Sequence, residues 1–139
     1  MSLLLAAALQ VAIKNPAEVA PPVGAYSHMA VVPAGSELVV IAGQVGNAKD
    51  GSLPGEPEEQ FRGALRNVAA LLASEGLTPR DLVKLNLYLV RPLDPEKARA
   101  IRAEVLGDAK PPSTLVYVVR LARPEYLVEI DGMAVRAKR

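Results

Sequence analysis

The chain has 139 residues, half of them hydrophobic, with 16 lysines and arginines against 15 aspartates and glutamates. This length fits one globular domain, because domains usually contain about 100–150 residues. The near balance of charge, without a basic block and with few aromatic residues, argues against nucleic acid and anionic membranes as partners. Because the sequence contains no cysteine, it excludes disulfides, thiol nucleophiles and thiolate metal sites, and it predicts a cytoplasmic location.

The N-terminal third of the chain predicts strands. Residues 1–14 are expected to form an N-terminal extension or a leading strand. The apolar run from Ser2 to Ala8 lacks the basic flank of a signal peptide and is too short to span a membrane. Two runs rich in β-forming residues follow, Met29 to Pro33 and Glu37 to Gln44. Because Ala34-Gly35-Ser36 between them has the composition of a turn, the pattern predicts a hairpin that begins a sheet.

The remainder of the chain alternates helices and strands. From Glu58 to Glu75 apolar residues recur at helical spacing, and Gly76 supplies a C-terminal stop. Asp94-Pro95 offers an N-cap and a first-turn proline for a second helix that ends near Leu106. Further strands are predicted at Val83 to Val90, Ser113 to Leu121 and Tyr126 to Val135. The predicted order is β-β-β-α-β-α-β-β, a single α+β domain over residues 1–139 with both helices on one face of a mixed sheet.

Side chains alternate between two faces along a strand, and both faces of this predicted sheet are partly apolar. One face suits a cover of helices and holds Tyr126, Val128, Ile130 and Ala134, together with Val83, Leu85, Leu87 and Leu89. The opposite face holds Leu127, Glu129, Asp131 and Met133, together with Lys84, Asn86 and Tyr88. This second face is either a partly polar buried surface or a solvated sheet face.

Five sequence blocks occur in an order that is characteristic of one protein family. They are Gly24-Ala25-Tyr26-Ser27-His28, Ile41 to Gly46, Gln60 to Leu72, Asp81 to Lys84, and Pro111-Pro112-Ser113-Thr114 through Val128-Glu129-Ile130-Asp131. Together they extend from about Asn15 to Arg136, and the closing run to Val135 is the most specific. On these blocks the chain resembles the Rid (YjgF/YER057c/UK114) superfamily.

The resemblance implies a chorismate-mutase-like fold in which three subunits pack their sheets into a central barrel, with a ligand cleft at each interface. Such a homotrimer accounts for the second apolar face better than a solvated sheet does. In the active deaminases of the superfamily, enamines and imines such as 2-aminoacrylate are hydrolysed to a keto acid and ammonia. That chemistry requires a cation for the substrate carboxylate and an acidic group for water.

Carried over by position, the pocket tyrosine falls on Tyr26, and the glutamate that positions water falls on Glu129, the candidate catalytic residue. The carboxylate-binding arginine falls on Ser113, whose hydroxyl cannot replace a charged, bidentate guanidinium. Arg120 lies seven positions further on with opposite strand parity, so it is expected to face away. The pocket asparagine falls on Ala100. The resulting predicted ligand-binding set is Tyr26, Tyr88, Ser113 and Thr114.

Other kinds of site are not predicted, and each chosen residue has a structural alternative. The lone His28 has no Gly-x-Ser-x-Gly nucleophile motif beside it, and no second histidine or thiolate is available for zinc. No metal is therefore expected. Gly43 to Gly46 lacks the Walker and dinucleotide fingerprints, so no nucleotide cofactor is expected either. Glu129 can instead pair with Lys84 or with an arginine across the barrel, and Tyr26 can cap the core. Ser113 and Thr114 can simply satisfy backbone groups.

Three functions stay open at this point. The departure at Ser113 favours a pocket protein that binds or acts on a small metabolite without the standard 2-imino-acid deaminase activity. The first alternative is an enamine/imine deaminase in which another residue replaces the missing arginine. The second is a non-catalytic regulatory or metabolite-sensing module. The expected partners are a small molecule and further copies of the chain, with neither nucleic acid nor membrane.

Overall fold

A computed structural model describes residues 10–138 of the chain. In this part the strands are β1 (Ala12–Lys14), β2 (Met29–Val31), β3 (Glu37–Val45), β4 (Leu82–Leu89), β5 (Ser113–Tyr117) and β6 (Val128–Arg136). The helices are α1 (Pro57–Ser74) and α2 (Pro95–Leu106), and a 3-10 turn covers Pro79–Asp81. The predicted α+β element order is confirmed. β1 is the C-terminal part of the predicted leading strand, whereas Ser2 to Ala8 lies outside the described residues.

The strands form two sheets. The larger sheet has the order β3-β6-β4-β5, in which only the β4–β5 pair is parallel, and β1 pairs with β2 in a separate antiparallel ribbon. The predicted hairpin between β2 and β3 is therefore wrong. Pro33 has no N–H for a ladder between them. Its carbonyl is occupied within the turn, where it accepts hydrogen bonds from the N–H and the hydroxyl of Ser36.

The hydrophobic core lies between the helices and one face of the larger sheet. The predicted apolar stripe of α1 is fully buried there and consists of Phe61, Leu65, Val68 and Leu72. It packs against Leu85, Leu87, Leu89, Val128 and Ile130 of the two central strands. α2 begins as predicted, with the Asp94 carboxylate accepting the Lys97 N–H at 2.9 Å.

One prediction about the faces fails at a bulge. Val83 was expected in the core, but the pairing of β4 with β6 shifts register between Leu82 and Lys84. A bulge adds one residue to a strand and so changes its parity. Leu82 and Leu85 consequently both point into the core, and Val83 is only half-buried. The last two strands are also shorter than expected, since β5 ends at Tyr117 and β6 begins at Val128.

The other face of the larger sheet, which we call the open face, is largely uncovered within the described residues. Val135, near the end of β6, is buried beside the N-terminal segment that contains Val11 and Ile13. Its polar residues are Lys84, Asn86, Tyr88, Thr114, Glu129 and Asp131, as the strand registers require. Its exposed apolar residues are Leu38, Val40, Val116 and Met133. In the part of the chain that the structure describes, neither helix is long and apolar enough to cross a membrane.

Candidate functional site

Two hydrogen bonds fix a polar cluster in the middle of the open face. The Asp131 carboxylate accepts the Asn86 amide at 2.8 Å and the Tyr88 hydroxyl at 2.9 Å. The hydrogen bond to Asp131, followed by burial and the nearby carboxylates, raises the pKa of Tyr88. Tyr88 therefore stays a protonated phenol that holds a fixed orientation beside its cross-strand neighbour Glu129.

Glu129 is the second acidic residue of this face, and unlike Asp131 its carboxylate is not engaged by a neighbouring side chain. It pairs with Tyr88 on β4 and Val45 on β3, and its carboxylate lies directly over the backbone of Gly43. A Cβ at residue 43 would overlap this carboxylate, so the glycine of the Ala-Gly-Gln element makes the room for it. Among the described residues the Glu129 carboxylate has no hydrogen-bond partner, because Lys84 donates instead to the Thr114 hydroxyl at 2.6 Å.

The segment that contains Tyr26 lies beside the start of β5. Ser27 is buried and forms an isolated parallel bridge with Pro112, which brings Tyr26 next to the turn that precedes Ser113. The ring of Tyr26 meets that of His28 edge-on, with the centroids 6.1 Å apart. His28 Nε2 lies 2.7 Å from the Ala20 carbonyl oxygen, which agrees with a structural role for this histidine.

Ser113 and Thr114 point to opposite faces of the sheet. Ser113 pairs with buried Leu85 and faces α2, and its hydroxyl donates to the Pro111 carbonyl at 2.9 Å. Thr114 pairs with Asn86 on the open face. The hydroxyl of Ser113 therefore uses its one proton within the turn and has only acceptor capacity left.

That acceptor capacity is taken by an arginine that the sequence interpretation did not consider. Arg102 of α2 places its Nη2 at 3.3 Å from the Ser113 hydroxyl oxygen. Its Nε is fully buried and has no partner among the described residues. Burial lowers the pKa of the Arg102 guanidinium. The expected replacement, Arg120, lies beyond the end of β5 and is exposed.

A signal for Arg102 was present in the sequence. Ala98, Ile101 and Val105 pack against the core, and with Arg102 they occupy positions i, i+3, i+4 and i+7 of α2. This spacing marks the inward stripe of a helix. Arg102 belongs to that stripe, so its charged side chain is directed under the edge of the sheet and not into solvent.

The structure collects the predicted residues into two groups that do not meet within one chain. Tyr26, Ser113 and Arg102 lie at the edge strand β5, and we call them the edge group. Tyr88 and Glu129 lie side by side on the open face. Ser113 and Glu129 are three residues apart along the strands and two strands apart across the sheet, which corresponds to about 14 Å between Cα atoms. Their side chains also leave the sheet on opposite faces.

A separate cavity of about 650 Å³ contains neither group. It lies between the N-terminal segment and the 3-10 turn, and its polar lining includes Arg80, Asp108 and Lys110. An ion pair of 2.7 Å joins Arg80 to Asp108 there. Within residues 10–138 no three histidine, aspartate or glutamate side chains cluster in a way that would hold a metal ion.

Comparison of the sequence with known proteins identifies the family of this chain. The family model described as Endoribonuclease L-PSP matches residues 17–136. The chain belongs to this family, the Rid superfamily. A RutC family protein from Pyrococcus horikoshii, PH0854, is 35% identical over 115 residues, which cover 81% of this chain and 88% of that protein.

Solved structures of Rid proteins share the fold. The conserved Rid family protein YyfB from Yersinia pestis superposes with a TM-score of 0.77 at 31% identity, covering 90% of this chain and 98% of that one. TdcF from E. coli, solved with bound serine, superposes with a TM-score of 0.65 at 25% identity and covers 90% of this chain and 98% of that one. The mixed sheet with two helices on one face is thus the Rid fold.

Proposed function

We propose that this Rid chain forms a homotrimer through its open faces and hydrolyses small enamines or imines in pockets between the subunits. The observation that carries the proposal is the free carboxylate of Glu129, held over Gly43 next to an ordered phenol on a face that is largely uncovered. A cytoplasmic location remains a prediction from the absence of cysteine.

The open face favours association over a solvated sheet. In the single chain Leu38 is 57% exposed, Val40 65% and Met133 41%. Contiguous apolar surface of this kind, interleaved with hydrogen-bonded polar residues, is typical of protein interfaces. Association would also resolve the separation of the two groups, because Glu129 of one chain can approach the edge group of another across a heterologous interface.

The proposed chemistry needs an unpaired carboxylate that a water molecule can approach. Glu129 would accept a proton from water as the water oxygen forms a bond to the imine carbon, and the C=N π electrons would pass to nitrogen, which takes up a proton. Glu129 would supply that proton, and it would then carry the hydroxyl proton of the resulting carbinolamine to the amine nitrogen as the C–N bond breaks, the carbonyl forms and ammonia leaves. An enamine would first take up a proton at carbon and lose one from nitrogen to become the imine. Tyr88 would keep its proton and help to position Asp131 and the water beside Glu129.

The bound serine of the E. coli TdcF structure supports a small, carboxylate-bearing ligand for this pocket. RNA cleavage, which the description of the family model names, has less support in this chain. The formal net charge is only +1, and the open face carries both Glu129 and Asp131. A polyanion bound there would meet two carboxylates.

The test is hydrolysis of 2-iminopropanoate, generated in situ by an amino-acid oxidase and followed by the disappearance of the imine. We expect the natural protein to accelerate hydrolysis and Glu129→Gln to lose about 100-fold or more in kcat/KM, as general-base removal does. Glu125→Gln, an exposed acid in the preceding loop, is the matched control. If the natural protein binds the ligand without hydrolysing it, the sensing module is the better account, and RNA cleavage without imine hydrolysis would also refute the proposal.

A further inference from the structure

We propose that Arg102 is the carboxylate anchor of this pocket, reaching from α2 to the place where Ser113 cannot supply a charge. The inference deepens the proposed function and rests on it. It assigns a ligand class, a small monocarboxylate, to a guanidinium that the family resemblance does not place in the site.

The first argument is that the charge of Arg102 is uncompensated within the chain. Five other arginines pair with carboxylates, namely Arg62, Arg66, Arg80, Arg123 and Arg136. Arg102 has no carboxylate within salt-bridge distance among residues 10–138, although its Nε is fully buried. A partly buried cation without a counter-charge is costly, and such a group at the edge of a sheet is a candidate for a charged partner that arrives from outside the chain.

The second argument is the geometry of the turn. The Ser113 hydroxyl donates to Pro111 and receives only a long contact of 3.3 Å from Arg102 Nη2. Ser113 therefore orients the guanidinium and leaves most of its N–H groups free. A planar fork with free N–H donors matches a carboxylate through two parallel hydrogen bonds.

The third argument concerns the size and charge of the ligand. Pro111 and Pro112, which precede Ser113, and Ser27, which bridges to Pro112, are all buried, so little open space adjoins the turn that Arg102 contacts. The neighbouring cation of β4, Lys84, is engaged with Thr114 on the opposite face. Arg80 beyond Pro111 is already paired with Asp108, and Lys110 lines the neighbouring cavity and not the contact between Arg102 and Ser113. A single guanidinium at that contact suits a monoanion better than a phosphate, which usually gathers several donors and charges.

The experiment measures binding without turnover. Pyruvate and its uncharged amide, pyruvamide, are titrated by calorimetry or ligand-observed NMR into the natural protein, Arg102→Met and Arg102→Lys. Arg99→Met is the matched control, because Arg99 is an exposed arginine on the same helix. We expect Arg102→Met to lower the affinity for pyruvate by about tenfold or more and Arg102→Lys to lower it less. Arg99→Met should leave the affinity unchanged. Pyruvamide should not respond to any of these changes.

Arg102→Lys keeps the test decisive if Arg102→Met fails to fold, because it retains the charge and removes the planar fork. A charge relocation is a further test. The double variant Arg102→Met with Ser113→Arg moves the guanidinium to the head of β5 and should recover pyruvate binding. Pyruvate affinity within twofold of the natural protein in Arg102→Met would overturn the anchor, and so would a natural protein that does not bind pyruvate. Imine hydrolysis that survives in Arg102→Met would sink the anchor and leave the proposed function standing. Pyruvate binding that depends on Arg102 in a protein that does not hydrolyse the imine would support the anchor and contradict the proposed function.

Discussion

The absence of a side chain at Gly43 leaves the space that the Glu129 carboxylate occupies. Glu129 lies where the backbone of β3 would otherwise carry a side chain, and the adjacent register shift between Ile41 and Gln44 reshapes the strand at this point. The sequence identified Glu129 by position, but the reason for the glycine became visible only when β3 and β6 were paired. A short Ala-Gly-Gln element carries no such information by itself.

Gly43→Ala should reduce catalysis while leaving the fold intact. The added methyl group would overlap the Glu129 carboxylate and displace it from the position in which it is proposed to activate water. We expect kcat for 2-iminopropanoate to fall about tenfold or more, since small misplacements of a catalytic group have large effects on rate. Gly55→Ala, in open space with nothing within 4 Å, is the control. An unchanged kcat in Gly43→Ala would show that the position of Glu129 does not matter.

At the scale of elements, the sequence predicts features that depend on neighbouring residues of the chain, and it does not predict contacts between distant elements. The stripe of α1 and the cap of α2 depend on neighbouring residues, and both were predicted correctly. The partner of β2 depends on long-range pairing with β1, so a turn-like Ala34-Gly35-Ser36 was misread as a hairpin. Arg102 was missed for the same reason, because only the packing of α2 under β5 reveals that it meets Ser113.

The cap of α2 should contribute measurably to stability. The Asp94 carboxylate accepts the Lys97 N–H, and the Asp94 N–H itself donates to Glu58 of α1 at 2.9 Å. Asp94→Ala is expected to lower the free energy of unfolding by about 1 kcal/mol, as loss of an N-cap usually does. Urea denaturation at a fixed protein concentration measures this, with Arg99→Ala as the comparison. Equal stability of the two variants would contradict the assigned role of the cap.

At the scale of the whole molecule, the open face is the feature that a single chain does not explain. It combines exposed apolar residues with an ordered polar cluster, and its catalytic candidate lies about 14 Å from the edge group in the same chain. Composition and strand parity predicted that such a face exists. They do not specify how a second chain is placed on it, because that depends on shape complementarity between surfaces.

Disruption of the open face should dissociate the assembly. Val40→Lys places a charge in the middle of the apolar part of that face. We expect analytical ultracentrifugation at micromolar concentration to show a trimer for the natural protein and monomers for Val40→Lys. Leu71→Lys is the control, since Leu71 is an exposed apolar residue on α1, away from the sheet. A trimer that tolerates Val40→Lys and loses assembly with Leu71→Lys would place the interface on the helices instead.

The most direct test of a site shared between subunits is complementation between two inactive variants. Arg102→Met and Glu129→Gln are co-expressed with different affinity tags, and trimers that contain both chains are isolated by two successive purifications. If each pocket takes Arg102 from one chain and Glu129 from the next, every mixed trimer has one intact pocket and should show about one third of the natural rate of 2-iminopropanoate hydrolysis. Mixed trimers as inactive as either parent would contradict the account, because they would mean that both residues act from the same chain.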